Sequence, residues 1–243
     1  MTDVVTAGVL VIGDEILSGR TKDKNIGFIA EYLTNIGIDL KEVRVVADEE
    51  ADIIAALNAL RQRYDYIFTT GGIGPTHDDI TADSVAKAFG VGISHHPDVV
   101  ERFRKRFQDS ELNEARLRMA RIPDGASLVE SATIMAPGFW IGNVIVMAGV
   151  PSIMQAMMDI VAPKLRSGVR MLSESVRANA REGDIGTPLR EIALANPETQ
   201  IGSYPFRDED GNPNTNLVVR SRDPDKLRVA MGAVQQMLAA LKR

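Results

Sequence analysis

The first two thirds of the chain alternate between two hydrophobic patterns. Val4–Ile12 is a continuous apolar, largely β-branched run, which is typical of a strand buried on both faces of a sheet. Asn25–Ile36 spaces its apolar residues three and four positions apart, as one face of a helix does, and Gly37 suits the C-terminal cap. The alternation predicts further strands at Leu40–Ala47, Tyr66–Thr70 and Asn143–Ala148, and helices at Glu50–Arg63, Thr81–Phe89, Pro97–Phe107, Glu111–Ala120 and Ile153–Leu165. Repeated strand–helix units predict an α/β fold with a mainly parallel sheet covered by helices.

The pattern changes near Arg166–Arg170. The remaining segments predict strands at Val169–Val176, Gln200–Arg207 and Thr215–Ser221, and helices at Ile185–Ala195 and Pro224–Leu241. This β-α-β-β-α order suits a small α+β domain with an antiparallel sheet. We therefore predict two domains, residues 1–167 and 168–243.

Composition narrows the classes of function. The chain has 243 residues and a formal net charge of −5, which argues against a nucleic-acid partner and against a polybasic membrane anchor. The absence of cysteine excludes disulfides, a thiol nucleophile and cysteine-ligated zinc. No apolar run is long enough to span a membrane, and the N-terminus has the pattern of a buried strand rather than of a signal peptide. We expect a cytoplasmic protein with a small-molecule partner.

A glycine-rich segment, "TTGGIGPTHDDIT", lies between a predicted strand and a predicted helix. Gly71, Gly72 and Gly74 can adopt positive φ and allow a ligand to approach the backbone closely. Successive N–H groups in such a loop can bind a phosphate, helped by the start of the following helix. The spacing matches neither the Walker A loop nor the dinucleotide-binding loop. The alternative is a tight turn in which Asp78 or Asp79 caps the helix.

Adjacent aspartates in an anion-binding loop would repel a phosphate unless a cation lay between them. Magnesium binds one or two carboxylates together with substrate phosphates, so Asp79 and Asp78 are candidate metal ligands. One of these carboxylates could instead act as a general base. His77 is a weaker candidate for either task.

Other candidate residues follow the predicted strands. Because ligands bind at the carboxyl ends of strands in open parallel sheets, these positions predict one site. They are Gly13, Asp14 and Glu15 after the first strand, Asp48 after the second, Asp79 after the third, and Gly149 and Pro151 after the last. Taken singly, each aspartate could be a turn residue and Pro151 a helix start. Asp23 could cap a helix or face the site, and Phe139 and Trp140, in a predicted turn, could stack on a ligand ring or belong to the core.

The segments "GDEILSG", "KDKN", "VADE", "TTGGIGPTHDDIT" and "AGVPSIM", in this order, resemble the molybdopterin-binding domain of the MoaB/Mog type. The resemblance is strongest to the form found in competence-damage-inducible protein A (CinA) and in the N-terminal region of eukaryotic FAD synthases. "IGSYPF" and "NTNLVVRSRDPDKL" resemble the small KH-type α+β domain that follows in CinA proteins.

This resemblance implies a three-layer α/β domain that forms homo-oligomers. Asp48 and Asp79 match two aspartates needed for adenylylation of molybdopterin in the Mog branch. The phosphate-binding loop would comprise Thr70, Gly71, Gly72, Gly74 and Pro75. In the CinA branch and in FAD synthases, the domain is associated with metal-dependent cleavage of dinucleotide pyrophosphates such as ADP-ribose or FAD. The implied cofactors are Mg²⁺, Mn²⁺ or Co²⁺, with K⁺ as a further candidate cation. The implied ligand is a dinucleotide or a phosphorylated pterin such as molybdopterin.

The sequence also departs from the family pattern. Ile73 replaces a threonine that is usual in the Mog-type loop, and Ala148–Pro151 replaces a Pro-Gly-x-Pro segment. The amidase domain of full CinA proteins does not follow Arg243, so amidase activity is not expected. The C-terminal segment lacks the Gly-x-x-Gly loop with which KH domains clamp nucleic acid, which favours a structural role. Three hypotheses stay open: a metal-dependent pyrophosphohydrolase that uses Asp48 and Asp79 with support from Asp14 and Asp23, a non-catalytic pterin-binding module, and a molybdopterin adenylyltransferase.

Overall fold

A computed structural model describes residues 4–108, 111–131 and 134–241. The chain divides into two compact units, Met1–Gly168 and Val169–Arg243.

The first unit alternates strands and helices for most of its length. Its elements in chain order are β1 (Val5–Ile12), α1 (Asp14–Leu17), α2 (Asn25–Asn35), β2 (Ile38–Val46), α3 (Glu50–Arg61), β3 (Tyr66–Thr70), α4 (Thr81–Phe89), β4 (Ile93–His95), α5 (Pro97–Arg106), α6 (Glu114–Arg118), β5 (Arg121–Pro123), β6 (Ser127–Val129), β7 (Gly138–Ile141), β8 (Val144–Met147), α7 (Pro151–Val161) and a 3₁₀ turn (Ala162–Lys164). In the described residues, the main sheet has the order β2-β1-β3-β8-β7-β6, and β4 pairs with β5 separately.

The sheet is mainly parallel. Strands β2, β1, β3 and β8 run parallel to one another, whereas β7 and β6 are antiparallel additions. The prediction of a turn around Phe139 and Trp140 is wrong, because both residues lie in β7. A tight turn with Gly142 at φ +56° joins β7 to β8 as a hairpin.

Both faces of the sheet are covered, which explains the unbroken apolar run of β1. Val9 and Val11 pack on one face with the buried residues of α2 and α7. Leu10 and Ile12 pack on the other face with those of α3 and α4. A strand whose side chains enter a core on both faces of the sheet is expected to be apolar along most of its length.

The second unit is small and α+β. It contains β9 (Leu172–Arg177), α8 (Glu182–Ala195), β10 (Gln200–Arg207), β11 (Pro213–Ser221) and α9 (Pro224–Leu241). In its described residues, the strands form an antiparallel sheet in the order β10-β11-β9. Leu217 and Val219 of β11 are fully buried in one cluster with apolar residues of α8 and α9. The predicted combination of a mainly parallel α/β unit with a small α+β unit is confirmed.

The strand register places the loops that follow the parallel strands at one edge. Ile12 pairs with Val46, Val11 pairs with Thr70, and Thr70 pairs with Met147. The segments that begin at Gly13, Ala47, Gly71 and Ala148 therefore leave the sheet side by side.

The turn after β3 requires glycine. Gly71 has φ +102°, and a Cβ atom there would lie 2.1 Å from the carbonyl oxygen of Ile12. The N–H of Gly71 donates to the Met147 carbonyl at 3.2 Å, and the Thr81 hydroxyl donates to the Gly71 carbonyl at 3.0 Å. The turn is thus fixed between two strands and the start of α4.

The starts of β1 and β3 are joined by Asp65. Its carboxylate accepts the Thr6 N–H and hydroxyl at 2.8 Å each, and the Arg166 guanidinium donates to it at 2.9 Å. Burial alone would raise the pKa of Asp65, but the hydrogen bonds from Thr6 and the charge of Arg166 lower it below its usual value.

We expect Gly71→Ala to destabilise the protein more than Gly90→Ala. Gly90 also has a positive φ, +67°, but its added Cβ would meet open space. Backbone strain alone costs about 1–3 kcal/mol, and only Gly71→Ala adds a clash with a backbone oxygen. Urea denaturation of the two variants measures the difference, and equal losses of unfolding free energy would contradict this account.

The Asp65 contacts predict a pH dependence of stability. A carboxyl group whose pKa is lower in the folded state contributes stability above its unfolded pKa of about 3.9, and loses it as the pH falls through the folded value. The stability advantage of the wild type over Asp65→Asn should therefore be largest near pH 6 and shrink towards pH 3. Urea midpoints at several pH values measure this difference, and a constant gap would rule out the charge as its source.

Candidate functional site

A cleft of about 520 Å³ opens at the carboxyl edge of the parallel strands. Its lining includes most of the residues that the sequence singled out: Gly13, Glu15, Asp48, Gly71, Gly72, Gly74, Asp78, Asp79 and Gly149. The parallel register explains this convergence, since these residues are distant in sequence and follow neighbouring strands.

A second cleft of about 240 Å³ adjoins the first. It shares Ile12, Glu15, Gly71 and Gly149 with the main cleft. Three further predicted residues line it: Asp23, Thr70 and Pro151. Among the described residues, Asp14 and Pro75 lie outside the lining of both clefts, and Asp14 contributes through its backbone instead.

Asp48 lies just beyond β2, where its Oδ2 accepts the N–H of Asp14 at 2.9 Å. Burial raises the pKa of Asp48, and the negative charges of Asp14, Glu15 and Asp78 raise it further. The hydrogen bond from the Asp14 N–H acts in the opposite direction. The net effect gives Asp48 a greater affinity for a proton than an ordinary aspartate has, which suits a general base.

Asp79 is held against the glycine loop. Its Oδ2 accepts the N–H of Thr76 at 2.8 Å and the Thr76 hydroxyl at 2.6 Å. A Cβ atom on Gly74 would lie 2.6 Å from the same oxygen, so glycine at position 74 makes room for this carboxylate. The Arg118 guanidinium fixes the Asp79 backbone by donating to its carbonyl at 3.1 Å.

Thr76 and Arg118 were not predicted from the sequence. The spacing Thr76-x-x-Asp79 resembles the Ser/Thr-x-x-acid pattern of a helix start, and this local signal could have identified Thr76. Arg118 is 39 residues from Asp79, and no local pattern links the two.

The neighbours Asp78 and His77 differ in their surroundings. Asp78 lines the main cleft, and the neighbouring Thr76 side chain and its own backbone N–H favour its charged form, which lowers its pKa. The His77 side chain is 99% exposed, and its Nδ1 lies 3.9 Å from Asp78 Oδ1. His77 is not part of the lining of either cleft, so its geometry does not support a role as metal ligand or acid–base group.

The carboxylates do not form a complete metal cage by themselves. Among the described residues, no group of three or more His, Cys, Asp and Glu side chains is placed to hold a metal ion. Magnesium commonly uses one or two carboxylates and takes its remaining oxygen ligands from substrate phosphates and water. The donor set of Asp78 and Asp79 therefore fits a cation that a phosphorylated ligand helps to hold.

Asp23 caps α2 and also lines the second cleft. Its Oδ1 accepts the N–H groups of Asn25 at 3.0 Å and Ile26 at 2.7 Å. The buried Asn25 in turn donates from Nδ2 to the Gly149 carbonyl at 2.8 Å. Gly149 packs closely on the glycine loop, since a Cβ atom there would lie 3.3 Å from the Gly71 Cα.

The aromatic pair of β7 is absent from the lining of both clefts, and Phe139 reaches only a small pocket beside the glycine loop. Phe139 is buried in the core, and Trp140 packs edge-on against Tyr66 with ring centroids 6.1 Å apart. Neither lines either cleft, which removes the support for ring stacking by these residues. The apolar wall of the main cleft is formed instead by Met119, Met135, Val150 and Ile153.

Within residues 4–108, 111–131 and 134–241, which the structure describes, no helix has the length and apolar character needed to cross a membrane.

Two protein-family models match the chain. The family described as "Probable molybdopterin binding domain" matches residues 8–167, and the family described as "FAD synthase, middle domain" matches residues 170–242. Both clefts lie within the first match. The C-terminal unit, for which the sequence suggested a KH-type domain, is thus similar to the middle domain of FAD synthases.

Individual relatives agree with these matches. A protein from Archaeoglobus fulgidus is 30% identical over 231 residues, which cover 95% of this chain and 96% of that protein. A probable FAD synthase from Caenorhabditis briggsae is 30% identical over 226 residues, which cover 82% of this chain and 43% of that protein. The crystal structure of CinA from Thermoplasma acidophilum, a protein described as having unknown function, has a TM-score of 0.62 and 32% identity, covering 66% of this chain and 98% of that chain.

The first family match spans more than half of the chain and contains the strands, the glycine loop and the carboxylates described above. The chain therefore belongs to the molybdopterin-binding domain family of the MoaB/Mog type, in a CinA-like form that continues into a FAD synthase middle domain.

Proposed function

We propose that this protein is a divalent-metal-dependent nucleotide pyrophosphohydrolase that acts on dinucleotides such as ADP-ribose or FAD. The observation that carries the proposal is the meeting of a glycine loop with Asp48, Asp78 and Asp79 in one cleft. A loop of this kind binds phosphate, and carboxylates beside a phosphate suit a metal-assisted reaction at phosphorus.

The loop offers backbone donors to a phosphate. Gly72, Ile73 and Gly74 lie outside the helices and strands. In the described part of the chain, no backbone carbonyl accepts a hydrogen bond from their N–H groups. The side chain of Ile73 cannot replace the hydroxyl of the usual threonine, so phosphate binding would depend on these N–H groups. The start of α4 adds the favourable end of a helix dipole.

The carboxylates would divide the chemistry between them. Asp48, whose pKa is raised by burial, would accept a proton from the attacking water. Water adds to one phosphorus, and the bridging P–O bond breaks. The products are AMP and the second half of the substrate, which keeps the other phosphate. Asp78 and Asp79 would hold a divalent cation (Mg²⁺, Mn²⁺ or Co²⁺, with K⁺ as a further cation), which supplies charge neutralisation on the phosphates. Thr76 fixes the orientation of Asp79 for this task.

A second candidate function is non-catalytic binding of molybdopterin or a related phosphorylated pterin. The description of the matched family favours it. The same loop would bind the pterin phosphate, and the main cleft of about 520 Å³ has room for a fused ring. Adenylyl transfer to molybdopterin is a variant of this idea and would require ATP consumption that depends on the pterin.

The proposed activity predicts AMP release from ADP-ribose or FAD in the presence of Mg²⁺, Mn²⁺ or Co²⁺ with K⁺. We expect Asp48→Asn and Asp79→Asn each to lower the rate about a hundredfold or more, since general-base and electrostatic contributions are of that size. Asp52→Asn is the matched control, because Asp52 is exposed on α3 and lines neither cleft. AMP followed by chromatography gives the rates, and an unchanged rate in the Asp48→Asn/Asp79→Asn double variant would exclude this mechanism.

Removal of metal separates the two candidate functions. The pyrophosphohydrolase should lose AMP release in EDTA and regain it when Mg²⁺ is restored, because carboxylates and phosphates repel each other without a cation. Calorimetry with molybdopterin provides the comparison. Tight binding of the pterin in EDTA, together with no AMP release under any metal, would favour the binding module instead.

A further inference from the structure

The second cleft contains buried polar atoms that lack a partner in the described part of the chain. Thr70 is 1% exposed and Asn25 is 4% exposed, and both line this cleft. Neither the Thr70 hydroxyl oxygen nor Asn25 Oδ1 has a hydrogen-bond partner among the described residues. Most buried polar atoms in native proteins are paired, so these two atoms indicate a place that a ligand or water completes.

The chemistry of Asn25 selects the kind of ligand group. Its Nδ2 already donates to the Gly149 carbonyl at 2.8 Å, which fixes the orientation of the amide. The unpaired Oδ1 can only accept a hydrogen bond. A fully ionised phosphate has no proton to donate, whereas a sugar hydroxyl has one, so the free atom favours a hydroxyl.

The charged groups of the second cleft support the same choice. Glu15 and Asp23 add carboxylates that accept hydrogen bonds from hydroxyls, as acidic residues do with ribose in dinucleotide-binding folds. Lys22 and Lys24 also line the cleft, and both are exposed. The two lysines balance the two carboxylates, so this cleft has no excess of positive charge that would favour a phosphate.

The position of the second cleft relates it to the main one. The two clefts share Ile12, Glu15, Gly71 and Gly149, so one extended ligand can occupy both. A volume of about 240 Å³ suits a sugar or nucleoside portion and not a whole dinucleotide. We propose that the second cleft binds the sugar hydroxyls of a nucleotide whose phosphates lie in the main cleft. This inference rests on the proposed function and adds to it a preference for ribosyl over deoxyribosyl ligands.

Thr69 provides a matched control for the Thr70 hydroxyl. Thr69 precedes Thr70 in β3, is fully buried, and also has an unpaired hydroxyl oxygen among the described residues. Successive residues of a strand point to opposite faces, and Thr69 lines neither cleft. Thr69→Val and Thr70→Val therefore remove the same buried group from the same strand, but only Thr70→Val changes the second cleft.

The experiment measures affinity by calorimetry with Mg²⁺ present. The probes are AMP and ribose 5-phosphate, each compared with its deoxy analogue, 2′,3′-dideoxy-AMP or 2-deoxyribose 5-phosphate. For at least one pair we expect Thr70→Val to weaken the hydroxylated ligand about tenfold, the effect of one hydrogen bond, and to leave the deoxy analogue unchanged. Thr69→Val should leave all four affinities unchanged, and Thr70→Ser, which retains the hydroxyl, should remain close to wild type.

The outcomes distinguish this inference from the proposed function. Equal effects of Thr70→Val and Thr69→Val, or equal affinities of the wild type for hydroxylated and deoxy ligands, would overturn the sugar-binding role. AMP release that still depends on Asp48 and Asp79 would then leave the hydrolase proposal standing. Absence of both binding and AMP release would overturn the two together. Thermal unfolding of each variant verifies that a loss of affinity does not reflect a loss of folding.

Discussion

The site depends on how closely backbone segments approach one another at the carboxyl edge of the sheet. The Ile12 carbonyl oxygen occupies the space next to Gly71 where a side chain would begin, and Gly149 packs against Gly71 from the next strand. Three loops can meet at such distances only where side chains are missing. The absence of side chains also leaves the N–H groups of the loop accessible to a ligand. The same glycines therefore allow the loops to pack together and keep the loop N–H groups accessible. A substitution at one of them would affect both the stability of the fold and the shape of the cleft.

The close approach of these loops also concentrates negative charge. Asp48, Asp78 and Asp79 line one cleft, and the raised pKa of Asp48 reflects both its burial and the charges around it. The protein compensates locally, with the Asp14 N–H on Asp48 and two donors from Thr76 on Asp79. These neutral donors orient the carboxylates without cancelling their charge. A phosphorylated ligand would add to the repulsion, so the proposed phosphate binding would need a cation, and a cation with so few carboxylate ligands would need oxygens from the phosphate. In the proposed function, the cation and the phosphate would therefore complete the site together.

The sequence predicted the parts of this arrangement that local patterns encode. β1 was identifiable because both of its faces enter the core, and the glycine loop because it connects a strand to a helix. β6 and β7 have only three and four residues, too few to establish a period, and the glycine and proline around them resemble a turn. Arg118 and Met119 reach the site from a segment whose only local signal is a short helical pattern. Their position follows from tertiary packing, which no spacing along the chain records.

Asp23 shows why structural and functional interpretations of one residue need not compete. Its carboxylate caps α2 by binding the N–H of Asn25, and Asn25 then binds the carbonyl of Gly149. Gly149 in turn packs on Gly71, so the helix cap lies at the start of a series of contacts that ends at the glycine loop. The cap therefore stabilises the start of α2 and, through Asn25, helps to fix the position of Gly149. Asp23 could therefore influence ligand fit in two ways: through the backbone positions that its cap helps to fix, and through its own place in the lining of the second cleft.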